Sequence, residues 1–162
     1  MFGLNRKKKQ AAVTAAVTAP VRGALVALDQ VPDPVFSGGV LGPGFAVDPA
    51  DGTVRAPIAG TVVTVPETRH AVGLRSEGGI ELLIHIGIDT MTTKGEGFTA
   101  RCAAGETVEA GQVLVEVDLD LLRDRVPSLL TPVIVTNTDA YATVTPHAGA
   151  SVRAGDALVD LA

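Results

Sequence analysis

Gly79-Ile80-Glu81-Leu82-Leu83-Ile84-His85-Ile86-Gly87-Ile88-Asp89 decides how the rest of this chain is read. Ile80, Leu82, Ile84, Ile86 and Ile88 occupy every second position, which on a strand makes one continuous core face. His85 must then point the other way, beside Glu81, Leu83 and Gly87. The leucine supplies an apolar surround and the glycine leaves open space, so the expectation is a histidine in a shallow apolar recess.

The flanking sequence has the same β-rich character. Short runs at Ala24–Leu28, Gly44–Val47, Thr53–Ala56, Gly60–Val65, His70–Leu74, Ile80–Ile88, Thr107–Val108, Val113–Val117, Pro132–Val135 and Ser151–Leu161 alternate with turn signals. Gly 18 and Pro 10 in 162 residues interrupt the chain too often for long helices. One helix is signalled at Asp120–Arg125, with an acidic start and Pro127 as its stop, and a helical turn near Val31–Phe36. The expected fold is all-β, an antiparallel sandwich or barrel-sandwich with one or two short helical turns. Thr107–Glu116 (TVEAGQVLVE) and Ser151–Asp160 (SVRAGDALVD) echo each other in register. Gly111 and Gly155 suit the positive φ of a tight turn, so the repeat reports fold rather than function.

Charge and composition narrow the function. Residues 1–9 hold Arg6, Lys7, Lys8 and Lys9 and no acid, so beyond them acids outnumber bases by nine rather than the overall five. An acidic body with 3% aromatic residues lacks the basic footprint and the stacking platforms of a nucleic-acid binder. Cys102 is the sole cysteine, which excludes an internal disulfide and a cysteine-rich metal centre and suits a reducing cytoplasm. None of the apolar stretches approaches the roughly 18 residues of a membrane span. Residues 1–20 read as a basic tail ahead of a domain over 21–162. Their Ala/Thr-rich run, without Leu or Ile, argues against a signal peptide. A solvated tail is the plainer reading of residues 1–9; the sharper one lets Met1, Phe2 and Leu4 make weak contact with an anionic membrane surface, beside the basic cluster.

A lone strand histidine is usually an ordinary, partly exposed residue, but His70 lies 15 positions before His85, across the Ser76-Glu77-Gly78-Gly79 turn. Antiparallel pairing across that turn would bring the imidazoles within reach, although a slip of one residue would reverse every side chain. Two neighbouring imidazoles can bind a metal, exchange protons, or pass a phosphoryl group from a ring nitrogen. A catalytic zinc site needs a third ligand, and His147 reads as an exposed turn residue. A phosphohistidine needs donors for its oxygens, which Thr68, His70 and the backbone amides around Gly87 can offer, and a dry apolar rim.

Several segments resemble the glucose-type IIA domains of the phosphoenolpyruvate-dependent sugar phosphotransferase system. They are Val31–Phe36, Val54–Val62, Glu67–Ala71, Gly79–Thr90, Lys94–Phe98 and Leu130–Val133, in family order across residues 24–162. The resemblance implies that His85 accepts a phosphoryl group at Nε2 from the histidine-containing phosphocarrier protein and passes it to a cysteine of a sugar permease's IIB domain. It further implies that His70 hydrogen-bonds the phosphate, that Thr68 is linked to the histidine pair and that Asp89 is the acid beside the site. Val35, Phe36, Leu83 and Gly87 would form the rim where partners dock, less aromatic here because Pro66, Leu83 and Ile86 stand where an aromatic is frequent. No cofactor is required, although His70 and His85 could hold a regulatory zinc if a partner supplied a carboxylate. Other regulatory partners could dock on the same face. The place implied is the cytoplasm, including the inner face of the membrane.

Two alternatives use related β architectures. A biotinyl or lipoyl carrier fits Ala56-Pro57-Ile58-Ala59-Gly60, but Lys94 in Thr93-Lys94-Gly95 lacks the context of a modified lysine. A zinc peptidase of the lysostaphin kind would need a His-x-His pair, which this chain does not have.

Overall fold

The hairpin expected around residues 76–79 lies inside a large sheet in the computed structural model, which describes residues 15–137, 144–146, 151–155 and 157–161. In chain order the strands are β1 (Ala15–Thr18), β2 (Gly23–Val26), β3 (Gly44–Pro49), β4 (Thr53–Arg55), β5 (Gly60–Thr64), β6 (Ala71–Arg75) and β7 (Glu81–His85). There follow β8 (Phe98–Ala100), β9 (Thr107–Val108), β10 (Val113–Val117), β11 (Thr131–Val135), β12 (Val144–Pro146), β13 (Ser151–Val152) and β14 (Ala157–Leu161). Eight strands form one sheet in the order β13-β2-β3-β11-β7-β6-β5-β9, and two three-stranded sheets, β4-β10-β8 and β1-β14-β12, complete an antiparallel β-sandwich.

The internal repeat has a structural counterpart. Each copy begins with a strand at one end of the large sheet, β9 or β13, and continues into the middle strand of a small sheet, β10 or β14. Gly111 at φ 89° and Gly155 at φ 93° sit in the two intervening turns, where a side chain would be strained.

Packing explains the alternation read from the sequence. Leu82, Ile84 and Ile86 enter the main core with Val62, Val72, Leu74, Leu114 and Val133. Each fully buried Leu, Ile or Val contributes roughly 1.5–3 kcal/mol over exposure. A second cluster of Val31, Phe36, Ala46, Ile88 and Ile134 covers the opposite face of β3 and β11. Its cover includes the segment that carries α1 (Pro34–Ser37), whose first amides are served by the Asp33 carboxylate accepting from Val35 N at 3.0 Å. The period-two pattern therefore ends sooner than expected: β7 stops at His85, Gly87 turns at φ 76°, and Ile88 joins the second cluster.

Other expectations shift as well. The helix runs as α2 over Leu119–Arg123, capped by the Asp118 carboxylate accepting from Leu121 N at 3.1 Å. Ser151–Leu161 is two strands around a turn at residues 153–155. Residues 15–20 belong to the fold and not to a tail: β1 pairs with β14, and Val17 and Ala19 are buried. Alanine and threonine disguised that strand, since its pairing partner lies at the far end of the chain. Residues 1–14, with the basic cluster, lie outside the described residues, as does His147. Among the described residues no helix is long and apolar enough to cross a membrane.

Candidate active site

Pairing of β6 with β7 sets Ala71 opposite His85 and Gly73 opposite Leu83, so small residues flank the imidazole on the neighbouring strand. His70 precedes β6, and its carbonyl accepts from Ile86 N at 2.7 Å, which fixes it against the exit of β7. Arg69, at φ 57°, turns the backbone just before it. The outcome is two imidazoles with ring centres 5.0 Å apart in an edge-to-face arrangement. Strict strand alternation would have put His70 on the opposite face from Ala71; the left-handed turn before β6 is what brings it round.

On its other side His85 meets the ring of Phe36, with centroids 5.1 Å apart. Phe36 is only 4% exposed, so it is a wall of the recess and not the docking residue expected of it. Its place in the second cluster explains the difference: Val31, Ile88 and Ile134 draw the ring inward. Val35, beside it, is 45% exposed and does present an apolar surface. Leu83 is half-buried against the second cluster. Gly87 is buried as well, and its contribution is a carbonyl rather than docking surface.

That carbonyl determines the chemistry of His85. Gly87 O lies 2.7 Å from Nδ1, and a carbonyl can only accept, so Nδ1 carries the proton. In the neutral ring Nε2 is then left with a free lone pair. The second ring has a comparable support, Thr68 Oγ1 at 2.6 Å from His70 Nδ1. With the hydroxyl donating there, Nε2 of His70 becomes the N–H donor. Both hydrogen bonds thus engage Nδ1. Some of the expected backbone donors are committed elsewhere: Ile86 N donates to His70 O and Ile88 N to Ser128 O.

Both histidines are held below the ordinary imidazole pKa. For His85 the main cause is burial; the Gly87 hydrogen bond and the charges of Asp33 and Asp89 pull back in the other direction. For His70 burial comes first and the neighbouring His85 second. Asp89 is exposed at φ 59° and opens a 3₁₀ turn over Thr90–Thr93, so it acts on His85 by charge. Asp33 does the same and was not singled out from the sequence. Its Asp-Pro context is a helix-start signal, which explains its place but gave no hint that the helix would end against an imidazole.

Two expectations follow. Burial moves protonation of His85 below pH 6.5, the value of a free imidazole, so the phosphoryl acceptance that the resemblance implies should still exceed half its plateau at pH 6.5 and reach half only below it. A rate already halved at pH 6.5 would contradict this. The same shift makes the unfolded chain bind protons first, so folding stability is complete above the unfolded pKa and declines as pH falls toward the folded one. Gly87→Ala should both destabilise and impair: its Cβ would come within 2.6 Å of Thr90 Cγ2 and 3.2 Å of Ser128 O, at a φ of +76°. Chemical denaturation should register a loss of about 1–3 kcal/mol, and acceptance should slow about tenfold or more as the Gly87 carbonyl leaves Nδ1.

Comparisons with known proteins agree with this architecture. Residues 15–141 match the family profile of the phosphoenolpyruvate-dependent sugar phosphotransferase system, EIIA 1. The glucose-specific EIIA component of Halalkalibacterium halodurans is 46% identical over 159 residues, covering 96% of this chain and 92% of the relative. That of Staphylococcus aureus is 39% identical over 159 residues, covering 98% and 94%. Among solved structures, the glucose permease IIA of Mycoplasma capricolum superposes with a TM-score of 0.87 at 36% identity, covering 99% of each chain.

Proposed function

The chain belongs to the EIIA 1 family of the phosphoenolpyruvate-dependent sugar phosphotransferase system, and from that premise we propose that it carries a phosphoryl group on His85 Nε2. The observation that supports this most is the 2.7 Å contact between His85 Nδ1 and the Gly87 carbonyl. It presents one nitrogen of a neutral ring as nucleophile and keeps the proton on the other.

The donor in this reading is the histidine-containing phosphocarrier protein. The lone pair of His85 Nε2 attacks phosphorus in line as the donor's P–N bond breaks, and that electron pair returns to the donor nitrogen. Catalysis is positioning plus stabilisation of the equatorial oxygens. His70 Nε2–H serves the oxygens, with Thr68 fixing its ring. In the second half of the cycle a cysteine thiolate of the permease's IIB domain attacks, and His85 recovers its lone pair. Phe36 and Leu83 keep the recess apolar and limit hydrolysis of the labile bond. Val35, 45% exposed beside Phe36, supplies an apolar surface for the partners. The chemistry needs no resident cofactor. A zinc ion between the two rings would draw its remaining ligands from a partner, since among the described residues no three His, Cys, Asp or Glu side chains converge.

A carrier must release what it accepts. The phosphoryl group brings about −1.5 to −2 charge to a site already facing Asp33 and Asp89, and that repulsion keeps the phospho-form from becoming a sink. The direct test is incubation with phosphoenolpyruvate, enzyme I and the phosphocarrier protein, followed by mapping of the modified residue. Acid-labile phosphate on His85 is the expected product, and no incorporation would refute the proposal. The partners place the work in the cytoplasm.

A further inference from the structure

Arg69 is the one residue between Thr68 and His70, and its side chain does not serve an ion pair among the described residues. Its guanidinium instead donates to two backbone carbonyls of another part of the fold: Nε to Phe98 O at 3.2 Å and Nη2 to Gly95 O at 3.2 Å. Phe98 begins β8, in the small sheet with β10 and β4, while His70 leads into β6 of the large sheet. The fork therefore ties the two layers together beside the site. Gly95 is shaped to receive it, because a Cβ there would stand 2.6 Å from Nη2 and 3.3 Å from Cζ. The receiving loop is itself anchored: Asp118 N donates to Gly97 O at 2.8 Å, Thr93 Oγ1 donates to Glu96 O at 3.0 Å, and Arg125 pairs with Glu96.

A left-handed backbone is costly for a residue with a side chain and persists where the surroundings over-determine it. At Arg69 two constraints do so, the turn bond from its own N–H to Pro66 O at 2.8 Å and the two-carbonyl fork. We propose that Arg69 is a positioning residue, whose fork on Gly95 and Phe98 holds the Thr68–His70 turn so that His70 faces His85. It rests on the phosphoryl-carrier reading for its consequence, but the geometry it maintains exists without any phosphoryl chemistry. A lysine offers one ammonium in place of a planar fork and cannot span both carbonyls in the same way.

The test uses the full chain. Arg69→Gly removes the fork and also the left-handed strain, so the backbone is spared a steric penalty; Arg69→Lys keeps the charge and is the second variant should the glycine chain fail to fold. Long-range ¹H–¹⁵N spectra read the ring nitrogens of His70 and His85 without phosphate. The expected result for Arg69→Gly is loss of the single Nδ1-bonded state of His70 with that of His85 retained, and onward transfer slowed about tenfold or more. Arg69→Lys should fall between Arg69→Gly and wild type. Unchanged His70 spectra with onward transfer within about twofold of wild type would overturn the proposal. So would Arg69→Lys matching wild type on both measures, because charge alone would then suffice. If the wild-type chain accepts no phosphate, the carrier reading fails, while the His70 spectra still decide the role of the fork.

Discussion

His85→Ala is expected to abolish phosphoryl acceptance and leave the fold in place. The imidazole is half-buried at the end of β7, and its ring contacts are Phe36 and His70, so its loss opens a shallow space at the rim and not a cavity in the main core. Thermal unfolding should shift by only a few degrees. Phosphate incorporation, by contrast, should vanish, because Thr68 occupies Nδ1 of His70 at 2.6 Å and in the proposed carrier the other nitrogen of that ring is a donor to the phosphate, not a nucleophile. His85→Gln makes the stricter control, since it fills much of the space and offers an amide with no nucleophilic nitrogen. Stoichiometric acid-labile phosphate on either variant would transfer the acceptor role to another residue.

The pairing of His85 with His70 was open in the sequence for an instructive reason. Alternation over residues 80–86 specified the face of His85, and burial of Leu82, Ile84 and Ile86 follows from it directly. Alternation could not place His70, because that residue lies just outside β6 and its direction comes from a left-handed turn at Arg69, where a non-glycine residue gives no local signal. The same limit applies to Phe36. As an apolar residue within a short helical turn it reads equally as surface or wall, and only the packing of Val31, Ile88 and Ile134 around it settles the matter. The strand at Ala15–Thr18 was hidden by composition, since alanine and threonine carry little apolar pattern and the partner, β14, is remote in sequence. What was legible depended on local periodicity; what was missed depended on contacts between distant segments.

His70→Ala should separate the two halves of the cycle. The proton on His85 Nδ1 is held by Gly87, two residues along its own chain, and not by a hydrogen bond from His70. Acceptance should therefore persist. Once the phosphoryl group is in place, its oxygens depend on the donor that Thr68 orients, and Asp33 and Asp89 offer repulsion rather than support. Removing that donor leaves developing charge in the second transfer without its partner, at a cost of about 10²–10³ in rate by analogy with loss of a single oxyanion donor. His70→Gln, whose amide N–H can reach toward the same oxygens, should recover part of the loss, and Thr68→Ala should reproduce a milder form of it by freeing the ring to rotate. The measurement is single-turnover transfer from the isolated phospho-form to a IIB acceptor. Onward transfer at the wild-type rate from the His70→Ala phospho-form would show that the second imidazole is only a packing neighbour of the first, and a parallel loss in acceptance would show that the two rings act as one unit instead of through the separate supports of Gly87 and Thr68.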